Sequence, residues 1–262
     1  MEDTEELVDF YIHRPLARPI ARALMPTSIT PNAVTIAGGA LGVSAGAALW
    51  FSGDAPWLRL AAAGLLFGSV VFDCVDGQLA RLRNQASRAG VILDGLVDIA
   101  VGVATIGAAA HVLSREYPAW SMWALCAAAM VSSEAQCLLF DIAKERYVTA
   151  QRITYVPGKL RMSGQSPAEE SRESAILVGM FDRYATAVAA LAAASGRITR
   201  AQMQAWATIG LGTHFALLYT AVAISYAWLP ALYGCLMIYT TAMNVVLMAL
   251  LWMRPLRFST SS

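Results

Sequence analysis

Long apolar stretches dominate the hydrophobic pattern of this chain. Asp, Glu, Lys and Arg are absent between Arg22 and Asp54, and again from Ala201 to Met253. A membrane-spanning helix needs about 20 predominantly apolar residues, so stretches of this length predict spans rather than soluble core helices. The pattern predicts six spans, at residues 32–51, 57–82, 89–113 and 119–142, with two more inside 201–253 on either side of a break near Trp228-Leu229-Pro230.

A shorter amphipathic pattern precedes the first span. Apolar residues recur every four positions from Val8 to Ile20, within the stretch 7–24, which also carries three arginines. This spacing predicts a helix that lies along the membrane surface with one side in the lipid. We therefore expect an all-α polytopic membrane protein, with an N-terminal interfacial helix in 1–31, a six-helix transmembrane catalytic domain over 32–256 and a tail at 257–262.

The basic residues indicate the orientation. Of the 19 Lys and Arg residues, all but Arg59 and Arg115 fall in the termini, in the turn after the second span, or in segment 144–200. Basic residues concentrate on the cytoplasmic side of membrane proteins, so we expect both termini in the cytoplasm. Segment 144–200 is turn-rich at first and apolar at 175–194, which favours a cytoplasmic loop followed by an interfacial helix over a seventh span.

The composition agrees with a membrane protein and excludes several other classes. Hydrophobic residues make up 57% of the 262 residues and charged residues 14%, whereas an average soluble domain has about 25% charged residues. A net charge of +1 supplies no basic excess for a nucleic-acid partner. The four cysteines form no CxxC pair, so the sequence predicts neither a zinc site nor a disulfide framework.

Four aspartates, Asp73, Asp76, Asp94 and Asp98, lie in the second and third spans, where ionised groups are costly. The two on each predicted helix differ by only about 60° and about 40° around the helix axis, so they share one face. A polar turn at 83–87 makes the two helices antiparallel neighbours. The two carboxylate-bearing faces can therefore converge.

Four carboxylates at one place repel one another unless cations neutralise them, and oxygen ligands favour Mg²⁺, Mn²⁺ or Ca²⁺ over zinc. Gly77 and Gly90 leave room for a ligand, and Arg81 lies where it could meet a substrate phosphate. Together these features indicate phosphate chemistry. The alternative is that the aspartates only pair with Arg81, Arg83 and Arg88 and anchor the helix ends.

The order Asp73-x2-Asp76-Gly77-x2-Ala80-Arg81-x8-Gly90-x3-Asp94-x3-Asp98 resembles the signature of the CDP-alcohol phosphotransferase family. The resemblance implies transfer of a substituted phosphoryl group from CDP-diacylglycerol or a CDP-alcohol to an alcohol acceptor, with release of CMP. Such a reaction belongs to phospholipid or polyol-phosphodiester synthesis. The resemblance also implies two Mg²⁺ or Mn²⁺ ions, a membrane-lipid environment and a homodimer formed through the late spans.

The same resemblance implies roles for individual residues. It makes Asp73, Asp76 and Asp94 metal ligands, and Asp98 both a metal-proximal ligand and the catalytic base. It places the nucleotide beside Asp73, Gly77, Ala80 and Arg81. The entry to the first span, Thr30-Pro31-Asn32-x2-Thr35, also resembles a family motif that lies beside the nucleotide, which implies contacts from Asn32 and Thr35. Read from the residues alone, Thr30 caps a helix that begins at Pro31.

The acceptor side is indicated less directly. Glu134 could face an acceptor cavity or hydrogen-bond a neighbouring helix. Asp141, Lys144, Arg146 and Arg152 could hold an acceptor phosphate or serve as ordinary cytoplasmic anchors. The N-terminal RPLARPIARALMPTSITPNAVT is similar to the branch of the family that makes inositol-phosphate diesters, including di-inositol phosphate synthases, which implies an acceptor of inositol-phosphate type.

Two other functions compete with this interpretation. The aspartates could bind and pass a divalent cation in a transporter, or the chain could be a catalytically silent scaffold of the same fold. Transporters bind their ions near the bilayer midplane, whereas these carboxylates lie at the predicted cytoplasmic ends of their spans. The complete set of four aspartates favours the enzyme over the silent scaffold.

Overall fold

The computed structural model describes residues 4–150 and 198–253 and five isolated positions between them (179, 183, 186, 187 and 190), and it contains no strand in this part of the chain. The π-helical turn Asp9–His13 leads into α1 (Arg14–Leu24). Eight further α-helices follow in these ranges: α2 (Pro31–Trp50), α3 (Trp57–Leu82), α4 (Arg88–Leu113), α5 (Ala119–Ala150), α6 (Arg200–Trp206), α7 (Leu211–Ile224), α8 (Pro230–Met237) and α9 (Met243–Met253).

Apolar helices long enough to cross a membrane confirm the predicted fold class. Five satisfy the length and composition of a span: Pro31–Gly53, Trp57–Leu82, Ala89–Leu113, Ala119–Val148 and Pro230–Trp252. The pair α6 and α7, bent by 41° at its break, supplies a sixth span if the pair is counted as one. The protein is therefore a helical multi-pass membrane protein.

The helices differ in two places from what the hydrophobic pattern indicates. Helix α5 continues beyond Ile142, the predicted end of the fourth span, to Ala150, and Tyr147 and Val148 are buried in the core. The region of the predicted fifth span contains a break at Gly210, whose extended backbone begins α7. Most of the predicted loop and interfacial helix between 151 and 197, and the tail at 257–262, lie outside the described residues.

Helix α2 packs against both α3 and α4 and holds them together. A Cβ atom on Gly42 would lie 2.5 Å from Cγ2 of Val101 and 2.7 Å from Oγ of Ser69. A Cβ atom on Gly46 would lie 2.8 Å from Cβ of Ala104. Glycine at these positions lets the helix backbones approach closely, which is how helices pack inside membranes.

The turn between α3 and α4 reverses the chain, but both helices pack mainly on α2 and not along one another, so the predicted side-by-side pairing of the two helices is not observed. Asn84 has a φ of 53°, a left-handed conformation that commonly ends a helix, and Gln85 donates its N–H to the carbonyl of Ala80 at 2.9 Å. Ser87 then caps α4 by accepting the N–H of Gly90 at 3.0 Å. The turn therefore brings the aspartate-bearing ends of the two helices together.

Helix α1 lies against α3 through two small side chains, Ala17 and Ala21, which are fully buried. The larger apolar residues Ile12 and Leu16 are exposed over nearly half of their surface. This arrangement is the one expected for a helix that packs on the bundle with one side and contacts lipid with another.

Candidate active site

Three of the four aspartates converge where α3 meets α4. Asp73, Asp76 and Asp94 each offer one carboxylate oxygen, and these oxygens lie within 4.8 Å of one another. Asp98 follows Asp94 by one helical turn and lies outside this group of three. Asp73, Asp94 and Asp98 all line one large cavity. Carboxylates this close repel one another strongly, so their chemistry fits a hard divalent cation.

The start of α2 supports this site. Thr35, which is buried, donates its hydroxyl to Oδ2 of Asp76 at 2.6 Å. The expected cap is confirmed, because Thr30 accepts the N–H of Ala33 at 3.2 Å and Pro31 is the first residue of the helix. The capped helix end therefore carries a donor that fixes one carboxylate of the cluster.

A small cleft adjoins the cluster on its α2 side. Asn32, Thr35, Gly77 and Ala80 line it together with Asp76, Asp94 and Gly90, so the structure brings these expected nucleotide residues together. A Cβ atom on Gly90 would lie 3.1 Å from Oδ1 of Asn32, which leaves little room for any other residue there. Arg81 does not line this cleft and is exposed.

A much larger open cavity, of about 880 Å³, lies on the other side of the cluster. It reaches from Asp73, Asp94 and Asp98 to helices α5 and α7. Of the expected acceptor residues, Glu134, Asp141 and Lys144 line it. Arg146 does not line it, and Arg152 lies outside the described residues. One wall therefore carries the signature carboxylates Asp73, Asp94 and Asp98, and the α5 wall carries a mixed set of charges.

Arg83 does not serve as a partner for the aspartates. Its guanidinium donates to the backbone carbonyls of Leu24, Met25, Thr27 and Ile29 at 2.5–3.1 Å. Arg83 therefore holds the loop between α1 and α2. The alternative in which the aspartates only pair with nearby arginines is therefore wrong for Arg83.

Two cavity residues were not expected from the sequence: Glu6 and Asp9 line the large cavity from the N-terminal segment. Burial, followed by the nearby charge of Asp9, raises the pKa of Glu6 from its ordinary value of 4.5 to about 7. The sequence feature that could have indicated this role is the presence of acidic residues on a segment that was otherwise interpreted as an interfacial helix.

The chain belongs to the CDP-alcohol phosphatidyltransferase family, whose sequence profile matches residues 28–168. The match covers α2 to α5 and with them the whole carboxylate cluster. The expected family is thus confirmed.

The chain is also similar to individual curated proteins. A phosphatidylinositol phosphate synthase of Corynebacterium glutamicum is 30% identical over 194 residues, which are 70% of this chain and 79% of that protein. One of Mycobacteroides abscessus is 29% identical over 150 residues, or 57% and 58% of the two chains. A bifunctional IPC transferase and DIPP synthase of Thermococcus kodakarensis is 27% identical over 158 residues, or 58% and 35%. The match therefore spans little more than half the length of the Mycobacteroides protein.

Proposed function

We propose that this protein transfers a substituted phosphoryl group from a CDP-linked donor to an alcohol and releases CMP. The observation that carries the proposal is the convergence of Asp73, Asp76 and Asp94, whose oxygens lie within 4.8 Å of one another beside Asp98 in an open cavity. Membership of the CDP-alcohol phosphatidyltransferase family supports it.

The cluster would hold two divalent cations, Mg²⁺ or Mn²⁺, through Asp73, Asp76, Asp94 and Asp98. When bound, such ions stabilise the negative charge on the attacking and leaving oxygens of a phosphoryl transfer. Asp98 takes the proton from the acceptor hydroxyl, as a general base does. The freed oxygen bonds to the phosphorus that carries the donor's substituent, and the bond from that phosphorus to CMP breaks.

The two cavities suit the two substrates. The small cleft beside Asn32, Thr35, Gly77 and Ala80 would receive the cytidine nucleotide, and Arg81 would approach its phosphates from the exposed side. The large cavity would receive the acceptor. The names of the relatives support CDP-diacylglycerol as donor and an inositol phosphate as acceptor. The acceptor phosphate would then pair with Lys144, the basic residue of the expected acceptor set that lines the large cavity.

The proposal includes an orientation and an assembly. The positive-inside rule supports cytoplasmic termini and an active site open to the cytoplasm, where water-soluble acceptors occur. The family resemblance supports a homodimer.

The test is CMP release by the purified protein in detergent with Mg²⁺ or Mn²⁺. CDP-diacylglycerol, CDP-inositol, CDP-choline and CDP-ethanolamine are each combined with a panel of alcohols that includes inositol phosphate, and Asp98→Asn is the control. We expect one pairing to give acceptor-dependent CMP that the variant loses. Divalent-cation flux in vesicles without CMP from any pairing would instead establish the transporter, and bound metal with neither activity would establish the silent scaffold.

A further inference from the structure

The N-terminal segment contributes to the large cavity through a carboxylate that is anchored on α7. Glu6 is 8% exposed and accepts the N–H of Gly212 at 3.1 Å and the N–H of Thr213 at 2.8 Å. It also accepts the hydroxyl of Thr213 at 3.1 Å. These donors belong to the first turn of the helix, where backbone N–H groups have no partner within the helix. Glu6 therefore fixes the N-terminal segment against the cavity wall.

Asp9 lies beside this anchor and is held by a second set of contacts. Its Oδ1 lies 2.7 Å from Nδ1 of His13, and Nε2 of His13 lies 3.2 Å from the hydroxyl of Tyr219. A carboxylate only accepts, so Nδ1 of His13 donates to Asp9, while Nε2 is paired with the hydroxyl of Tyr219. His13 is fully buried, so its ring cannot turn away. Tyr219 on α7 thereby fixes the direction of Asp9 through His13.

Gly212 gives Asp9 the space that it occupies. A Cβ atom at this position would overlap the carboxylate of Asp9. Within the described residues, Oδ2 of Asp9 accepts no hydrogen bond, and the side chain is 22% exposed. Asp9 and Gly212 both line the large cavity. The carboxylate is therefore positioned by its neighbours and retains acceptor capacity on the cavity side.

The charges of the residues that line the cavity determine which chemical groups of an acceptor can bind beside Asp9. Besides three of the signature aspartates (Asp73, Asp94 and Asp98), the described cavity residues include the carboxylates of Glu6, Asp9, Glu134 and Asp141, but only one cationic side chain, Lys144 on α5. A carboxylate repels a phosphate and accepts hydrogen bonds from hydroxyl groups. A ligand with several hydroxyls and one phosphate fits if its hydroxyls meet the carboxylates and its phosphate meets Lys144.

We propose that Asp9 is a specificity-determining residue that accepts a hydrogen bond from a ring hydroxyl of a polyol-phosphate acceptor, and that His13 and Tyr219 are its positioning residues. The inference rests on the proposed function, because it assigns the large cavity to the acceptor. It adds that the N-terminal segment, which precedes the family match at residue 28, takes part in choosing the acceptor.

The experiment measures acceptor binding and turnover separately on the full chain in detergent. Calorimetry without donor gives the Kd for inositol phosphate, and CMP release from CDP-diacylglycerol gives the KM of each substrate. Asp9→Asn keeps the size of the side chain and its contact with His13 but replaces the charged acceptor. The matched control is Asp54→Asn, a fully exposed aspartate far along the chain, at the opposite end of α2 from the carboxylate cluster.

We expect Asp9→Asn to raise the Kd and KM of inositol phosphate about tenfold or more, as loss of a hydrogen bond to a charged group does, while the donor KM stays constant. Tyr219→Phe should raise the acceptor KM by a smaller factor at unchanged kcat. Wild type should bind one monodeoxy analogue of inositol phosphate more weakly than it binds inositol phosphate itself. Asp9→Asn should bind that analogue almost as well as it binds inositol phosphate.

Four outcomes would overturn the inference. An acceptor Kd within twofold of wild type removes Asp9 from the acceptor site. A parallel loss of kcat, both KM values and thermal stability makes its role structural, and a changed Mg²⁺ requirement at constant acceptor affinity makes it a cation ligand. Wild type that binds no inositol phosphate also overturns it. Binding that depends on Asp9 without any CMP release would retain the inference and reject the proposed transfer.

Discussion

The hydroxyl of Thr35 on α2 donates a hydrogen bond of 2.6 Å to the carboxylate of Asp76 on α3. The two residues are 41 positions apart, and both are buried. The contact orients one carboxylate of the cluster from a helix that carries none of the four aspartates. Metal ligands are commonly held by such outer hydrogen bonds, which fix their direction.

Replacing Thr35 with valine should weaken metal binding. The change preserves the shape of the side chain and removes the only donor that Thr35 offers to Asp76. We expect the apparent affinity for Mn²⁺ to fall about 10- to 100-fold, the range seen when an outer partner of a metal ligand is lost. Titration of Mn²⁺ followed by electron paramagnetic resonance measures this change.

Thr105→Val is the matched control for that substitution. Thr105 is equally buried on α4, but its hydroxyl donates to the carbonyl of Val101 in its own helix. Its replacement should leave Mn²⁺ binding unchanged. Equal Mn²⁺ affinities for Thr35→Val and wild type would show that Asp76 needs no such support.

The close approach of α2 and α4 predicts a stability effect at Gly42. A methyl group there would collide with Val101 and Ser69, so Gly42→Ala should destabilise the protein by about 1–3 kcal/mol, as overpacking of a close-packed interior does. Thermal unfolding in detergent, followed by tryptophan fluorescence, measures the change. Gly64→Ala on α3 is the control, because apart from the local backbone of its own helix nothing lies within 4 Å of the added methyl group. A melting temperature for Gly42→Ala at or above that of the control would contradict the packing.

The raised pKa of Glu6 predicts that the free energy of unfolding depends on pH near neutrality. Burial, followed by the charge of Asp9, raises the pKa of Glu6 from 4.5 to about 7, so folding favours the protonated carboxyl group. The corresponding stabilisation is complete below about pH 4.5 and is lost as the pH rises through about 7. We expect the free energy of unfolding to fall over this window by at most about 1.4 kcal/mol per pH unit.

The neutral variant Glu6→Gln isolates this effect. It retains a carbonyl oxygen that can accept from Thr213, and it cannot ionise. Its melting temperature should therefore vary less with pH than that of wild type between pH 5 and 8. Glu116→Gln, at an exposed position, should retain the wild-type slope. Parallel pH profiles for wild type and Glu6→Gln would assign the dependence to other groups.

The spacing of polar residues within each helix made the carboxylate cluster predictable. Two carboxylates per helix, three or four residues apart, fix a shared face by helix geometry, and the short turn brings the aspartate-bearing ends of the two helices together. The cap at Thr30 is equally local. By contrast, the contact between Thr35 and Asp76 depends on how closely α2 approaches α3, which the spacing of residues does not determine.

The break at Gly210 and the role of Glu6 could not be predicted from the local sequence pattern. Residues 201–253 have no Asp, Glu, Lys or Arg, so the hydrophobic pattern gives no reason to interrupt the helix. The N–H groups freed at Gly212 and Thr213 find their partner in Glu6, more than 200 residues away. The local pattern of the N-terminal segment predicted a surface helix, and only the tertiary fold shows that its acidic residues turn inward.

The most direct test of the account follows the phosphorus atom. CDP-diacylglycerol labelled in the phosphate that carries the diacylglycerol is incubated with inositol phosphate, Mg²⁺ and purified protein. The account predicts that the label appears in a new phosphodiester lipid and never in CMP. It also predicts that Asp98→Asn slows this transfer by about 10²- to 10⁴-fold, the usual loss for a general base. Label found in the nucleotide product, or a full rate of transfer in Asp98→Asn, would contradict the proposed chemistry.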